Sequence, residues 1–477
     1  MNSLMPRISE ALRACVNPLS ISGGQPSATR AHLDTALARL RSASSRRQLR
    51  TVRGVAAEVT RRTSGKAKHA DIRLLTSAAT SASSRRQLPP RAIVEDLLRP
   101  GGSTVYHFTP MQVPFLNPGA QTTALREQLI QALTEVLDRG HFILGPQVSA
   151  LEQEIAAFVG AGHGIGMNSG SDALTLALRA LDVGPGDEVI TTPFTYIAPA
   201  ESVIQVGARL VFADIDPRTF TLDLADVARR CTPRTKAIIP VHLFGQAAHL
   251  DALLPLARER GIRIVEDCAQ AIGASWNGQG LGSAGDIGCF SFYPTKNLGA
   301  DGDGGMCVTS DAALAKKLRM LRVHGIERRY FHDLHGYNSR LDEMQAAILR
   351  VKLPHLKRWT ERRGAIAARY SAGLAGVPVE LPMTAEGNSH CWHVYALRSE
   401  RRDELQAHLA ASGVPTLIYY PQPLHLQKCY ADLGWQLGDF PVAETVSRTV
   451  LPLPMYPELE DAQVDHVIHS VREFYRA

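Results

Sequence analysis

From Met111 onward the apolar residues follow two alternating rhythms. Residues 123–139 place Leu125, Leu129, Ala132, Leu133 and Val136 at helical spacing and Gly140 stops the run, so a helix is predicted there. Residues 147–159 repeat the pattern up to Gly160. Short apolar runs rich in Ile and Val follow at 188–192, 208–214, 236–243, 262–267 and 289–293. Helical stretches at 171–181, 197–206 and 248–260 lie between them. Buried-type strands alternating with amphipathic helices predict an α/β fold, a mostly parallel sheet covered on both faces. Turn signals at Pro185-Gly186, Asp216-Pro217 and Asn277-Gly278 punctuate it. Later in the chain the texture shifts to long helices with scattered strands: a strand at 393–399, helices at 402–412 and 461–476. That shift predicts a large domain over 111–355 and a smaller α+β domain over 356–477.

The texture before Met111 is different. Residues 1–110 hold 16 Arg and 2 Lys against 6 acidic residues, while the rest of the 477-residue chain holds 34 basic and 40 acidic. The formal net charge of +6 therefore belongs to the front segment alone, and the body carries no nucleic-acid footprint. Ser-Ala-Ser-Ser-Arg-Arg-Gln-Leu occurs at 42–49 and again at 81–88. One duplicated octapeptide does not make a stacked repeat, which needs several copies to bury a core. An Arg-, Ser- and Ala-rich leader resembles a transit peptide or a basic arm. The simpler expectation is a disordered extension that a chain starting near Met111 folds and works without. No apolar run approaches the roughly 18 residues that cross a bilayer. Seven cysteines without a C-x-x-C pair point to a reducing, cytoplasmic setting rather than to disulfides or structural zinc.

Three separated stretches carry candidate chemistry. In Met167-Asn-Ser-Gly-Ser-Asp-Ala-Leu174 a small turn precedes an apolar-periodic helix, which suits an anion at the helix N-terminus, although Ser and Asp are also ordinary caps. In Ile264-Val-Glu-Asp-Cys-Ala-Gln270, Asp267 ends an apolar strand, where open α/β sheets place ligands; alone it reads equally well as a helix cap. In Ser291-Phe-Tyr-Pro-Thr-Lys296-Asn-Leu-Gly, one lysine opens a glycine-rich loop, where a lysine is either solvated or able to lose its charge and form a Schiff base. Phosphate cradle, buried acid and reactive lysine together match what pyridoxal 5′-phosphate (PLP) requires.

With these stretches in order, about 113–477 resembles the DegT/DnrJ/EryC1/StrS family of PLP-dependent sugar aminotransferases, which have the aspartate-aminotransferase type I fold. The resemblance rests on NSGSDAL, PFTYIAPAE, VHLFGQ, VEDCAQAIGA, FSFYPTKNLG, GDGG and NSRLDEMQAAIL. It implies that Lys296 bonds the cofactor and acts as general acid and base, and that Asp267 partners the pyridine nitrogen. It further implies that Gln270 faces the phenolic oxygen, that Tyr196 stacks on the ring and that Gly170, Ser171 and Ser291 hold the phosphate. Asn338 resembles the asparagine that reaches the phosphate of a neighbouring subunit, which implies a homodimer with shared sites. Glutamate is the implied amino donor and a nucleotide-linked keto sugar the acceptor, in amino-sugar biosynthesis. Lys296 stands where relatives that remove a hydroxyl have histidine. KNLGA-x-GDGG is closer to the 3-keto subgroup than to the 4-keto one.

Two departures bear on the sugar: Tyr419-Tyr420-Pro421 where His-Tyr-Pro is usual, and Asp301 where an apolar or aromatic residue is commoner. Tyr420 and His425 are candidate substrate contacts, and His242 is either near the cofactor or structural. The basic stretch 352–363 reads as a solvated helix face. Two rivals remain. Gly280-Leu-Gly-Ser-Ala-Gly285 spells a dinucleotide fingerprint but leads into a strand rather than a helix. A regulator using the basic front segment is the other. No metal site is expected.

Overall fold

The computed structural model describes residues 111–476, which pack as one compact unit. The expectations for 1–110 fall outside the described residues.

Seven strands form the central sheet: β1 (His163–Met167), β2 (Glu188–Thr191), β3 (Arg209–Phe212), β4 (Thr235–Ile238), β5 (Arg263–Asp267), β8 (Ile287–Ser291) and β9 (Gly305–Thr309). A small hairpin, β6 (Ser275–Trp276) and β7 (Gln279–Gly280), precedes β8 and turns at Asn277-Gly278, both at positive φ as a tight hairpin requires. The sheet order is β1-β9-β8-β5-β4-β2-β3. Only β9 runs against its neighbours β1 and β8; β8, β5, β4, β2 and β3 are mutually parallel. The mostly parallel α/β sheet expected from the alternating runs is present. β1 and β9 lie outside the apolar runs from which strands were expected.

Alternate residues of each strand feed two separate apolar cores, one on each face. On β5, Val265 enters one and Ile264 the other; on β4, Ala237 and Ile238 divide in the same way. The helix Pro118–Arg139 ends at Gly140 and the helix Pro146–Val159 at Gly160, both glycines left-handed, as the stop signals required. A third core gathers Ile366 and Tyr370 of the helix Leu356–Gly373 with Tyr395, Leu451, Val464 and Val467. Val113 belongs to this third core and donates its N–H to Gly413 O at 2.9 Å, so the start of the described chain packs with its C-terminal part. Among the described residues no helix is long and apolar enough to cross a membrane.

Candidate active site

Because β9 alone is reversed, the C-terminal ends of β1, β2, β4, β5 and β8 all open on one edge of the sheet. That edge collects residues far apart in sequence. Gly170 and Ser171 follow β1, Tyr196 follows β2, Asp267 ends β5, and Ser291 ends β8 just ahead of Lys296. Open parallel sheets bind ligands at such an edge.

The helix Gly170–Ala180 starts against the end of β8. A Cβ placed on Gly170 would lie 2.7 Å from Ser291 Cβ, so only glycine lets the helix N-terminus and the strand end meet. Ser169 caps the helix by accepting the Asp172 N–H at 3.1 Å. The first-turn amides at Gly170 and Ser171 lie at the positive end of this helix beside Ser291, an arrangement chemically suited to an anion.

Asp267 is buried and accepts one hydrogen bond, from Ala269 N at 2.9 Å. Burial raises its pKa, against the pull of that hydrogen bond and of the charges of Lys296 and His242. Lys296 is partly buried, and desolvation brings its ammonium down to about 8, with Asp267 acting in the opposite sense. An acid that needs a cationic partner thus stands near an amine able to be neutral close to physiological pH. Tyr196 is 61% exposed and offers a free aromatic face at the same edge.

Gln270 is held by the protein on two sides. Its Oε1 accepts the Phe244 N–H at 2.8 Å and its Nε2 donates to the Tyr420 hydroxyl at 3.1 Å, so the amide is already held by the protein. The same bond ties Tyr420 to Gln270, and burial holds its phenol well above the usual tyrosine range.

His425 is corrected: it is 1% exposed, hydrogen-bonded to Glu444 Oε1 at 3.1 Å and packed on Phe440, so it cannot meet a substrate in this chain. His242 is structural as well. Its Nδ1 accepts the Ala248 N–H at 3.0 Å, which leaves the proton on Nε2, facing Glu266 Oε2 at 2.9 Å. Asn338 is exposed on the segment that follows the small hairpin Ile326–Arg328 and Phe331–His332.

Two other expectations change, and the rejection of a dinucleotide site stands. The stretch 352–363 is solvated at Lys357, Arg358 and Glu361 but not at its ends, because Lys352 and Arg363 are each 4% exposed. Lys352 Nζ bonds Gly299 O at 2.8 Å and Asp301 Oδ1 at 2.7 Å, which explains the unusual Asp301 as an anchor of the glycine-rich loop rather than a sugar contact. The fingerprint-like loop 280–285 wraps a carboxylate of the chain itself: Gly282, Ala284 and Gly285 all donate their N–H groups to Glu266. No dinucleotide phosphate can use those donors. His242, Glu266 and Cys268 bring ligand-type atoms within 4.8 Å of one another, yet both Glu266 oxygens are engaged and burial holds the Cys268 thiol protonated.

Residues 123–472 match the family model described as the DegT/DnrJ/EryC1/StrS aminotransferase family. The chain belongs to that family. Among its relatives, a "pleiotropic regulatory protein" of Geobacillus stearothermophilus is 50% identical over 77% of this chain and 99% of its own length. A "UDP-N-acetyl-3-dehydro-alpha-D-glucosamine 3-aminotranferase" of Acidithiobacillus ferrooxidans is 49% identical over 76% of this chain and 97% of its own. The solved structure of DesV from S. venezuelae is 48% identical, with a TM-score of 0.76 over 77% of this chain and 100% of DesV. The aspartate-aminotransferase type I fold expected of a DegT/DnrJ/EryC1/StrS aminotransferase is therefore present.

Aminotransferases of this family depend on PLP. The donor set at the sheet edge fits that group. The close Gly170–Ser291 approach brings the start of a helix to the end of β8, where a phosphate suits the helix amides, Asp267 suits a protonated ring nitrogen, and Lys296 suits an aldehyde.

Proposed function

We propose that this aminotransferase moves an amino group from glutamate to a keto group on the sugar of a nucleotide sugar, in amino-sugar biosynthesis, using PLP. The observation that carries the reading is the convergence of Lys296, Asp267 and the Gly170–Ser291 cradle on one sheet edge. When bound, PLP stores the amino group between two half-reactions and withdraws electrons from the reacting carbon. Gly170, Ser171 and Ser291 hold the phosphate, Tyr196 covers the ring face, and Asp267 keeps the pyridine nitrogen protonated. Lys296 Nζ anchors the aldehyde and, with its pKa lowered to about 8, accepts and returns protons at the amino-bearing carbon of the substrate. Gln270 holds Tyr420 in place through the hydrogen bond to its hydroxyl.

A 3-keto sugar is the favoured acceptor, on the strength of the KNLGA loop and of the name of the Acidithiobacillus relative. Asn338 completes the phosphate site of a second copy in a homodimer, a reading supported by its exposure. The division into a PLP-binding part over 111–355 and a smaller part over 356–477 is supported by a third core drawn mainly from 366–474, although Val113 joins that core and Ala396, Phe440 and Val450 join the first. The name of the Geobacillus relative raises a regulatory reading. The retained lysine, acid and cradle favour catalysis.

Borohydride treatment of the PLP-loaded protein, followed by peptide mapping, should label the peptide that contains Lys296. Unreduced protein given glutamate and a panel of keto nucleotide sugars should yield 2-oxoglutarate and an amino sugar. A protein that binds no PLP, or carries the label on another lysine, defeats the reading.

A further inference from the structure

The residue after the lysine is tied to a distant part of the chain. Asn297 is buried; its Nδ2 donates to Cys391 O at 3.0 Å, and its Oδ1 faces His393 Nδ1 at 3.1 Å. With the amide nitrogen committed to Cys391, the oxygen must accept, so His393 carries its proton on Nδ1. The segment 391–394 is itself held on several sides. Cys391 N bonds Gly245 O at 2.9 Å and Val394 N bonds Phe244 O at 3.3 Å. The Cys391 thiol reaches Gln270 O at 3.3 Å. Arg363, buried and hydrogen-bonded to no carboxylate among the described residues, gives its Nη1 to Trp392 O at 3.1 Å and Met455 O at 3.0 Å. A Cβ on Gly245 would strike Cys391 Sγ at 2.7 Å, so the segment presses directly on the strand-end loops of the site.

We infer that His393 is a positioning residue for Lys296: through Asn297 it fixes the backbone that carries the amine, so that the C-terminal part of the chain sets where Nζ sits. Burial keeps the His393 imidazole neutral, and the nearby charges of Lys296, Arg363 and His390 act in the same direction. The bond to Asn297 is therefore one of fixed polarity. The groups that face Lys296 itself are Asp267 and this neutral imidazole. Loosening the bond lets water reach Nζ and relieves the burial that lowers its pKa.

The inference rests on the reading of Lys296 as the PLP-bonding residue, and the test separates the two. The rate at which PLP-free protein captures added PLP is followed by visible absorbance against pH, because only the neutral amine reacts. Melting temperatures are recorded alongside. The native chain should gain rate through a pK near 8. His393→Leu should move that pK up toward the 10.5 of an unperturbed lysine. His393→Asn, whose amide N–H can still donate to Asn297, should return it to the native value. If His393→Leu does not fold, Asn297→Leu is read in the same way. A folded Leu variant with the native profile overturns the inference, as does a folded His393→Asn variant that behaves like His393→Leu. Failure of the native chain to capture PLP overturns the reading of Lys296 instead.

Discussion

Glu266 and Asp267 are consecutive on β5 and are treated in opposite ways by the fold. Strand alternation turns one side chain under the sheet end and the other toward the site. Glu266 receives the Gly282, Ala284 and Gly285 N–H groups and His242 Nε2, which together outweigh its burial and lower its pKa. Asp267 receives one N–H, and burial raises its pKa. The first is a satisfied structural anion, the second an acid held ready for a cationic partner.

The two therefore answer to substitution differently. Glu266→Gln sets an amide N–H against backbone donors and should cost about 3 kcal/mol of stability, as breaking a buried charged network does. Its folded pKa lies below 4.5, so its contribution is present above pH 4.5 and fades as pH falls through the folded value. For Asp267 the folded pKa lies above 3.8, so the buried carboxylate opposes folding at neutral pH and that opposition fades as the pH drops. Asp267→Asn should leave the PLP-free protein as stable as before, or more stable, while removing transamination. Melting curves at pH 7 and pH 4 check both. A strongly destabilised Asp267→Asn protein would contradict the assignment.

Lys296→Ala should remove turnover by at least about 100-fold, the scale of a lost acid–base group, and abolish the borohydride-sensitive visible absorbance. The fold should survive, because a partly buried ammonium with a lowered pKa is itself a cost to the native state. Circular dichroism and an absorbance scan decide it. Near-native turnover would exclude Lys296 from the chemistry.

What the sequence made legible was local. A glycine turn before a helix, an acid closing an apolar strand and a lysine opening a glycine loop are each visible within a few residues. The parallel sheet then brings them to one edge. What it hid depends on partners far along the chain. Arg363 reads as solvated because its acceptors include Met455, and Asp301 reads as a departure bearing on the sugar because its partner Lys352 lies on a later helix. His425 looks like a site residue until Glu444 and Phe440 close over it. Strand β9 (GMCVT) is buried throughout but follows directly on the glycine-rich loop, so no polar boundary marks where loop ends and strand begins.

Gly170→Ala tests the cradle apart from the chemistry. The added methyl meets Ser291 Cβ at 2.7 Å and Ser291 Cα at 3.2 Å, so either the helix start or the strand end must move. Overpacking of this kind costs roughly 1–3 kcal/mol, and if it falls on the bound state PLP affinity should weaken about tenfold or more. Equilibrium titration by absorbance measures it, with inorganic phosphate as competitor. An unchanged dissociation constant would place the phosphate elsewhere.

Asn338 and Lys296 should belong to different copies within each working site. Asn338 is exposed and bonds no side chain among the described residues, as expected of a group whose partner lies on another molecule. Asn338→Asp brings a negative charge toward the phosphate and should weaken PLP binding; Lys296→Ala should be inactive. When the two variants are co-expressed, a mixed dimer collects both lesions in one site and leaves the other site wholly native. At limiting PLP, activity should therefore rise in the mixture above that of either variant alone and co-elute with the dimer on a sizing column. If co-expression restores nothing while mixed dimers are present, each copy supplies its own Asn338 and the shared-site arrangement is wrong.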